Sequence, residues 1–114
     1  KNNLVCNPKL VRKVASYIDV PLTVGGGIKK KKDISMMLEN GAEKVLISTS
    51  LYEKNLWIKK SAETFGSQCL IACIDYRLKD NQINFFSHGG SIQIKKSLKE
   101  LSKLLESLKV GEEL

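Results

Sequence analysis

Aromatic residues are scarce, with phenylalanine, tyrosine and tryptophan together making up 6% of the 114 residues. Proteins that hold single strands of nucleic acid stack bases on aromatic platforms, and base readout favours bidentate arginine. Arginine is itself scarce beside a large excess of lysine, so composition argues against a nucleic-acid-binding module. No apolar run approaches the roughly 20 residues of a membrane helix. No charged-then-apolar leader opens the sequence, and a soluble, cytoplasmic protein with no membrane partner is expected. Three cysteines, Cys6, Cys69 and Cys73, supply neither a disulfide framework nor metal-ligand pairs. Reduced core thiols are the expectation, with no metal site and no cofactor.

What is present is a chain of 42% hydrophobic content and a net charge of +7. That length suits one small domain and not two. The positive charge fits an anionic partner, and without aromatic platforms a phosphorylated small molecule is the better match. The chain begins at Lys1 rather than methionine, and Leu114 reads as the start of an apolar segment. A domain truncated at both ends is therefore expected, occupying residues 1–114.

Asn7-Pro8 predicts a helix start, since asparagine caps exposed amides and proline suits the first helical position. Leu10, Val11, Val14, Ala15 and Ile18 then form one apolar face, and Pro21 is read as its stop. Leu22 to Val24 is a short strand ended by Gly25, Gly26 and Gly27. Asp33 is expected to cap a second helix carrying Ile34, Met37 and Leu38, which Asn40-Gly41 ends. Lys44 to Ile47 is a second strand, followed by the polar loop Ser48-Thr49-Ser50. A third helix carries Leu56, Trp57, Ile58, Ala62 and Phe65, and Gly66 ends it. Cys69 to Tyr76 reads as a strand buried on both faces, as in a parallel sheet. Arg77 to Gly90 reads as a small β excursion with turns. Ser97 and Glu100 predict a capping box for a last, leucine-rich helix ended by Gly111. Strands and helices alternate as in a βα barrel or a doubly wound sheet.

Two loops could bind an anion. Gly25-Gly26-Gly27 lies at a strand's carboxyl end, where absent side chains let backbone amides approach a phosphate. The same triplet also fits a plain strand-to-helix turn. Ser48-Thr49-Ser50 ends the next strand and offers hydroxyls beside those glycines, so together the two predict a phosphate cradle. Lys29 to Lys32 add charge at range or form a solvated helix start. Asp75 closes the strongest strand, where alternation places it on one face with Cys69, Ile71 and Cys73. In a barrel it would stand at the mouth, partly buried and suited to general acid or base work. A helix cap, or a partner for Arg77 or a lysine, is the other reading. Lys44 opens its strand at the opposite end of the sheet, beside Glu43. His88, the sole histidine, reads as a turn residue.

Val20-Pro21-Leu22-Thr23-Val24-Gly25-Gly26-Gly27-Ile28, Gly41-Ala42-Glu43-Lys44-Val45, Thr64-Phe65-Gly66-Ser67-Gln68 and Ile74-Asp75 together resemble the cyclase subunit of imidazole glycerol phosphate synthase. The resemblance runs from about Asn7 to Gly90 and less distinctly to Leu114. It implies a (βα)8 TIM barrel, of which this chain would hold roughly the second helix to the start of the sixth strand. Asp75 matches the family's catalytic aspartate on its fifth strand, and the partner aspartate on the first strand lies outside the chain. The chain alone is therefore expected to be inactive. Gly27 and Thr49 match contacts to one substrate phosphate, and Lys44 matches a gate at the barrel's foot that admits ammonia from a glutaminase partner. The implied reaction converts a phosphoribulosyl formimino aminoimidazole carboxamide ribonucleotide to imidazole glycerol phosphate in histidine biosynthesis. Ser48 stands where the family usually has asparagine, and Ser91 to Lys96 lacks the Thr-Gly that usually follows the His-Gly-Gly turn. Asn7 and the Leu10 to Ala15 stretch also resemble a sister group that channels ammonia in amidino-sugar synthesis for surface polysaccharides.

Overall fold

The computed structural model describes residues 7–53, 55–108 and 112–113. Asn7 Oδ1 accepts the Lys9 amide at 2.9 Å, and Pro8 opens α1 (Pro8–Tyr17) as its first residue. This helix stops at Tyr17, four residues before Pro21, so proline is not its terminator. Its apolar face also departs from expectation. Val11 is buried, but Leu10, Val14 and Tyr17 are exposed.

A parallel sheet carries the fold in the order β1 (Thr23–Val24), β2 (Lys44–Ile47), β3 (Leu70–Ala72) and β7 (Glu112–Glu113). Val24 pairs with Val45, Val45 with Leu70, and Ile71 with Glu112. Parallel strands need crossovers, and α2 (Lys31–Glu39) and α3 (Leu56–Phe65) provide them between β1, β2 and β3. The expected α/β class is thus observed, as an arc of parallel sheet belonging to part of a (βα)8 barrel. Ile34, Met37, Val45, Ile47, Leu51, Ile58 and Leu70 are fully enclosed between sheet and helices. At about 1.5–3 kcal/mol for each large apolar side chain, this layer supplies most of the driving force for folding.

Asp33 is not the cap of α2. The helix begins at Lys31, and Asp33 sits in its first turn, where its Oδ2 accepts the amides of Lys29 and Lys30 at 2.9 and 3.2 Å. A buried carboxylate reaching back to two amides does the work of a cap from inside the helix.

The strand expected from Cys69 to Tyr76 is two strands. Cys69 belongs to a short 3₁₀ turn (Ser67–Cys69), and β3 ends at Ala72, after which the Cys73 amide makes one last bond to Ile47 O at 2.9 Å. The chain then changes partners. Asp75 opens β4 (Asp75–Lys79), which pairs antiparallel with β5 (Gln82–Ser87), and β6 (Ile92–Ile94) completes a separate three-stranded sheet. The hairpin turns on Asp80 and Asn81, both at positive φ (53° and 64°). Two consecutive left-handed residues match the right-handed twist of the flanking strands. An unbroken apolar run hid this change because both ladders accept apolar side chains.

The last helix, α4 (Leu98–Leu108), is capped as expected. Ser97 Oγ accepts the Glu100 amide at 3.1 Å, and Glu100 Oε1 accepts the Ser97 amide at 2.8 Å. Leu101, Leu105 and Leu108 are buried, whereas Leu98 is exposed. Cys6 and Gly111, expected as a core thiol and a helix stop, lie outside the described residues. Cys69 and Cys73 are free thiols but half-buried rather than core. Among the described residues, no helix is long and apolar enough to cross a membrane.

Candidate functional site

The carboxyl ends of β1, β2 and β3 open into one cavity of about 820 Å³, within the usual size of small-molecule sites. Gly25, Gly26 and Gly27 line it from β1, Ser48, Thr49 and Ser50 from β2, and Cys73 from β3. The two loops predicted to share a phosphate are therefore neighbours around one space. Gly25 is required by proximity, since a Cβ there would stand 2.7 Å from Leu46 Cβ. Gly26 and Gly27 are required by conformation, with φ of 115° and 69°.

Two buried side chains fix this glycine loop. Ser50 Oγ donates to Ile28 O at 2.7 Å, and Asp33 holds the next two amides from below. Those amides are thereby occupied, whereas those of Gly26 and Gly27 take no acceptor among the described residues. Gly26 and Gly27 line the cavity together with the polar Ser48–Thr49 turn. Of the four consecutive lysines, Lys29 alone lines the cavity. Lys31 turns away, its Nζ standing 5.9 Å from the centre of the Phe65 ring.

Asp75 does not line this cavity. It is exposed and lies in an adjoining hollow with Tyr76, Arg77, Phe86, Gly89 and Gly90, so the partial burial expected of it is absent. Gly89 borders both spaces. The alternative of an Asp75–Arg77 pair is not observed either. Arg77 donates to Gly90 O at 3.1 Å and stacks 4.2 Å from the centre of Phe86. Lys44 stands at the amino end of β2, away from the cavity, and its Nζ donates to Gln68 O at 2.7 Å.

Glu53, Ser87 and Tyr52 were not singled out from sequence. The backbone amide of His88, read only as a turn residue, donates to Thr49 Oγ1 at 3.2 Å, and its ring lies between Ser87 Oγ (2.8 Å) and Glu53 (3.3 Å). The contact joins residues 39 apart, and no local pattern announces such a pairing. Tyr52 ends the 3₁₀ turn Thr49–Tyr52, and its buried hydroxyl has no hydrogen-bond partner among the described residues. Burial pushes its pKa up, and the charges of Asp75 and Cys73 add to that.

A family model described as "Histidine biosynthesis protein" matches residues 1–114. A Campylobacter concisus protein named imidazole glycerol phosphate synthase subunit HisF is 41% identical over 103 residues, covering 90% of this chain and 41% of that protein. Proteins of the same name from an Exiguobacterium species and from Saccharolobus solfataricus are each 38% identical over 103 residues, covering 90% of this chain and 40% and 41% of their own lengths. The chain thus spans about two fifths of the curated relatives it matches. A parallel βα arc with a glycine and hydroxyl cradle at its carboxyl edge, matched along its whole length by the family model, belongs to the histidine biosynthesis protein family.

Proposed function

We propose that this chain is one partial (βα)8 barrel domain of a cyclase subunit of imidazole glycerol phosphate synthase. In that reading the protein uses ammonia delivered by a glutaminase partner to convert a phosphoribulosyl formimino aminoimidazole carboxamide ribonucleotide into imidazole glycerol phosphate and aminoimidazole carboxamide ribonucleotide. The observation that carries it is the single cavity joining the glycine loop to the Ser48–Thr49 turn at the carboxyl edge of the sheet, the edge where βα barrels perform their chemistry.

Gly25, Gly26 and Gly27 present backbone donors to a substrate phosphate, and Ser48 and Thr49 add hydroxyls. Ser48 is shorter than the asparagine usual there, so its contact is the weaker of the two. Asp75 acts as general acid or base at the mouth, moving protons during ring closure and cleavage together with an aspartate from the barrel's first strand. Within this chain Asp75 is exposed. The complete barrel would bring further strands to the mouth and desolvate it. Lys44, at the opposite end of β2, belongs to the gate through which ammonia enters. Ammonia thus arrives at one end of the sheet and reacts at the other.

A steady-state assay of the full-length protein with ammonia and this intermediate tests the reading, followed by the loss of the intermediate's absorbance. Turnover is expected. A folded protein that binds phosphate but shows no turnover would point to the amidino-sugar branch, as the Ser48 substitution and the absent Thr-Gly would then suggest.

A further inference from the structure

The His-Gly-Gly turn lies far from the cradle in sequence but closes one side of it. His88 and Gly89 line the cavity beside Thr49 and Glu53. Two contacts bind this turn to the 3₁₀ turn that carries Thr49: His88 N to Thr49 Oγ1 at 3.2 Å, and His88 Nε2 to Glu53 Oε2 at 3.3 Å. The remaining ring nitrogen, Nδ1, is 2.8 Å from Ser87 Oγ, and Ser87 is buried. Both ring nitrogens are therefore engaged, so the imidazole has no free nitrogen to offer a ligand. Thr49 Oγ1, by accepting the His88 amide, has its own proton left to donate elsewhere.

We propose that His88 and Glu53 form a strap that positions Thr49 for phosphate, making His88 a positioning residue of the cradle rather than a turn residue alone. The inference rests on the phosphate-site reading above. The buried Ser87 hydroxyl orients the ring, the ring holds Glu53, and Glu53 caps the end of the 3₁₀ turn that carries Thr49. His88 holds a φ of 53°, a conformation uncommon outside glycine and asparagine. In that conformation the amide meets Thr49 and the ring meets Glu53, both from one stretch of chain. The pair is solvated, with His88 and Glu53 side chains 41% and 57% exposed, so its effect on affinity should be modest.

Inorganic phosphate binding to the full-length protein, measured by calorimetry, tests the strap. His88→Asn keeps a residue suited to the left-handed backbone but is too short to reach Glu53. Glu53→Ala breaks the same contact from the other side without touching the turn, and it is read against Glu53→Gln, which removes the same charge from the cavity wall but keeps an acceptor for His88. His88→Asn relative to wild type, and Glu53→Ala relative to Glu53→Gln, should each weaken phosphate binding by about three- to fivefold, in keeping with a solvated polar contact. The double variant should lose no more than either single, and His88→Gln, which restores a donor at the right reach, should recover most of the loss. Unchanged affinities, or losses that add in the double variant, would overturn the strap while leaving the phosphate site standing. A wild-type protein that binds no phosphate at millimolar concentration would remove the site itself, and the strap with it.

Discussion

Ser50 Oγ donates a buried hydrogen bond to Ile28 O at 2.7 Å, joining the turn after β2 to the glycine loop after β1 across 22 residues. The two halves of the cradle are thus held as one unit before any ligand arrives. Ser50→Ala leaves the Ile28 carbonyl buried without this partner, and should destabilise the protein by about 1–3 kcal/mol. Denaturant unfolding checks this as a lower midpoint at unchanged slope, accompanied by weaker phosphate binding.

Gly25 tests the other side of the same contact. A Cβ at this position would press on Leu46 Cβ at 2.7 Å and approach Leu46 O at 3.4 Å. Gly25→Ala must therefore push β1 and β2 apart, with an expected loss of about 1–3 kcal/mol from overpacking. Thermal unfolding of the variant reads this loss as a lower midpoint.

Tyr52 carries a buried hydroxyl with no partner among the described residues, so Tyr52→Phe should be neutral or stabilising, by up to about 1 kcal/mol. Alkaline stability gives a sharper sign. Burial, then Asp75, then Cys73 raise the pKa of Tyr52 above its ordinary 10.0. The unfolded chain loses this proton first, so stability is intact below pH 10 and declines as pH rises through the folded pKa. Tyr52→Phe should flatten that decline in unfolding measured above pH 10.

At α4 the sign reverses. Hydrogen bonds from the Ser97 amide and then the Ser97 side chain hold the Glu100 pKa below its ordinary 4.5, with Lys96 assisting. The contribution of this cap is present above the ordinary value and is lost as pH falls through the lowered one. Glu100→Gln should lower stability near neutrality and matter little in acid. Unfolding midpoints at the two pH values measure the difference.

Local chemistry was the legible part of this chain. The Asn7 cap, the Ser97–Glu100 box, the Gly66 stop and the strand from Lys44 to Ile47 each rest on neighbours within a few residues, and each stands where the pattern placed it. The Gly25–Gly27 and Ser48–Thr49 loops were legible as a pair because both follow strands of one parallel sheet. What escaped depends on partners remote in sequence. The break between Ala72 and Asp75 arises where pairing passes from β2 to β5. The exposure of Leu10 and Val14 shows that an amphipathic pattern names a face without naming what covers it. His88 was passed over because its meaning lies in Thr49 and Glu53, which no spacing rule connects to it.

Asp75 carries the central claim, since it is the residue assigned to proton transfer. The decisive measurement is turnover by full-length Asp75→Asn with ammonia and the phosphorylated intermediate, alongside inorganic phosphate affinity. Loss of a positioned general acid or base should lower turnover by about 10²–10⁴-fold, while phosphate affinity stays within about twofold of wild type, because Asp75 lies outside the cradle cavity. Wild-type turnover in this variant would contradict the account.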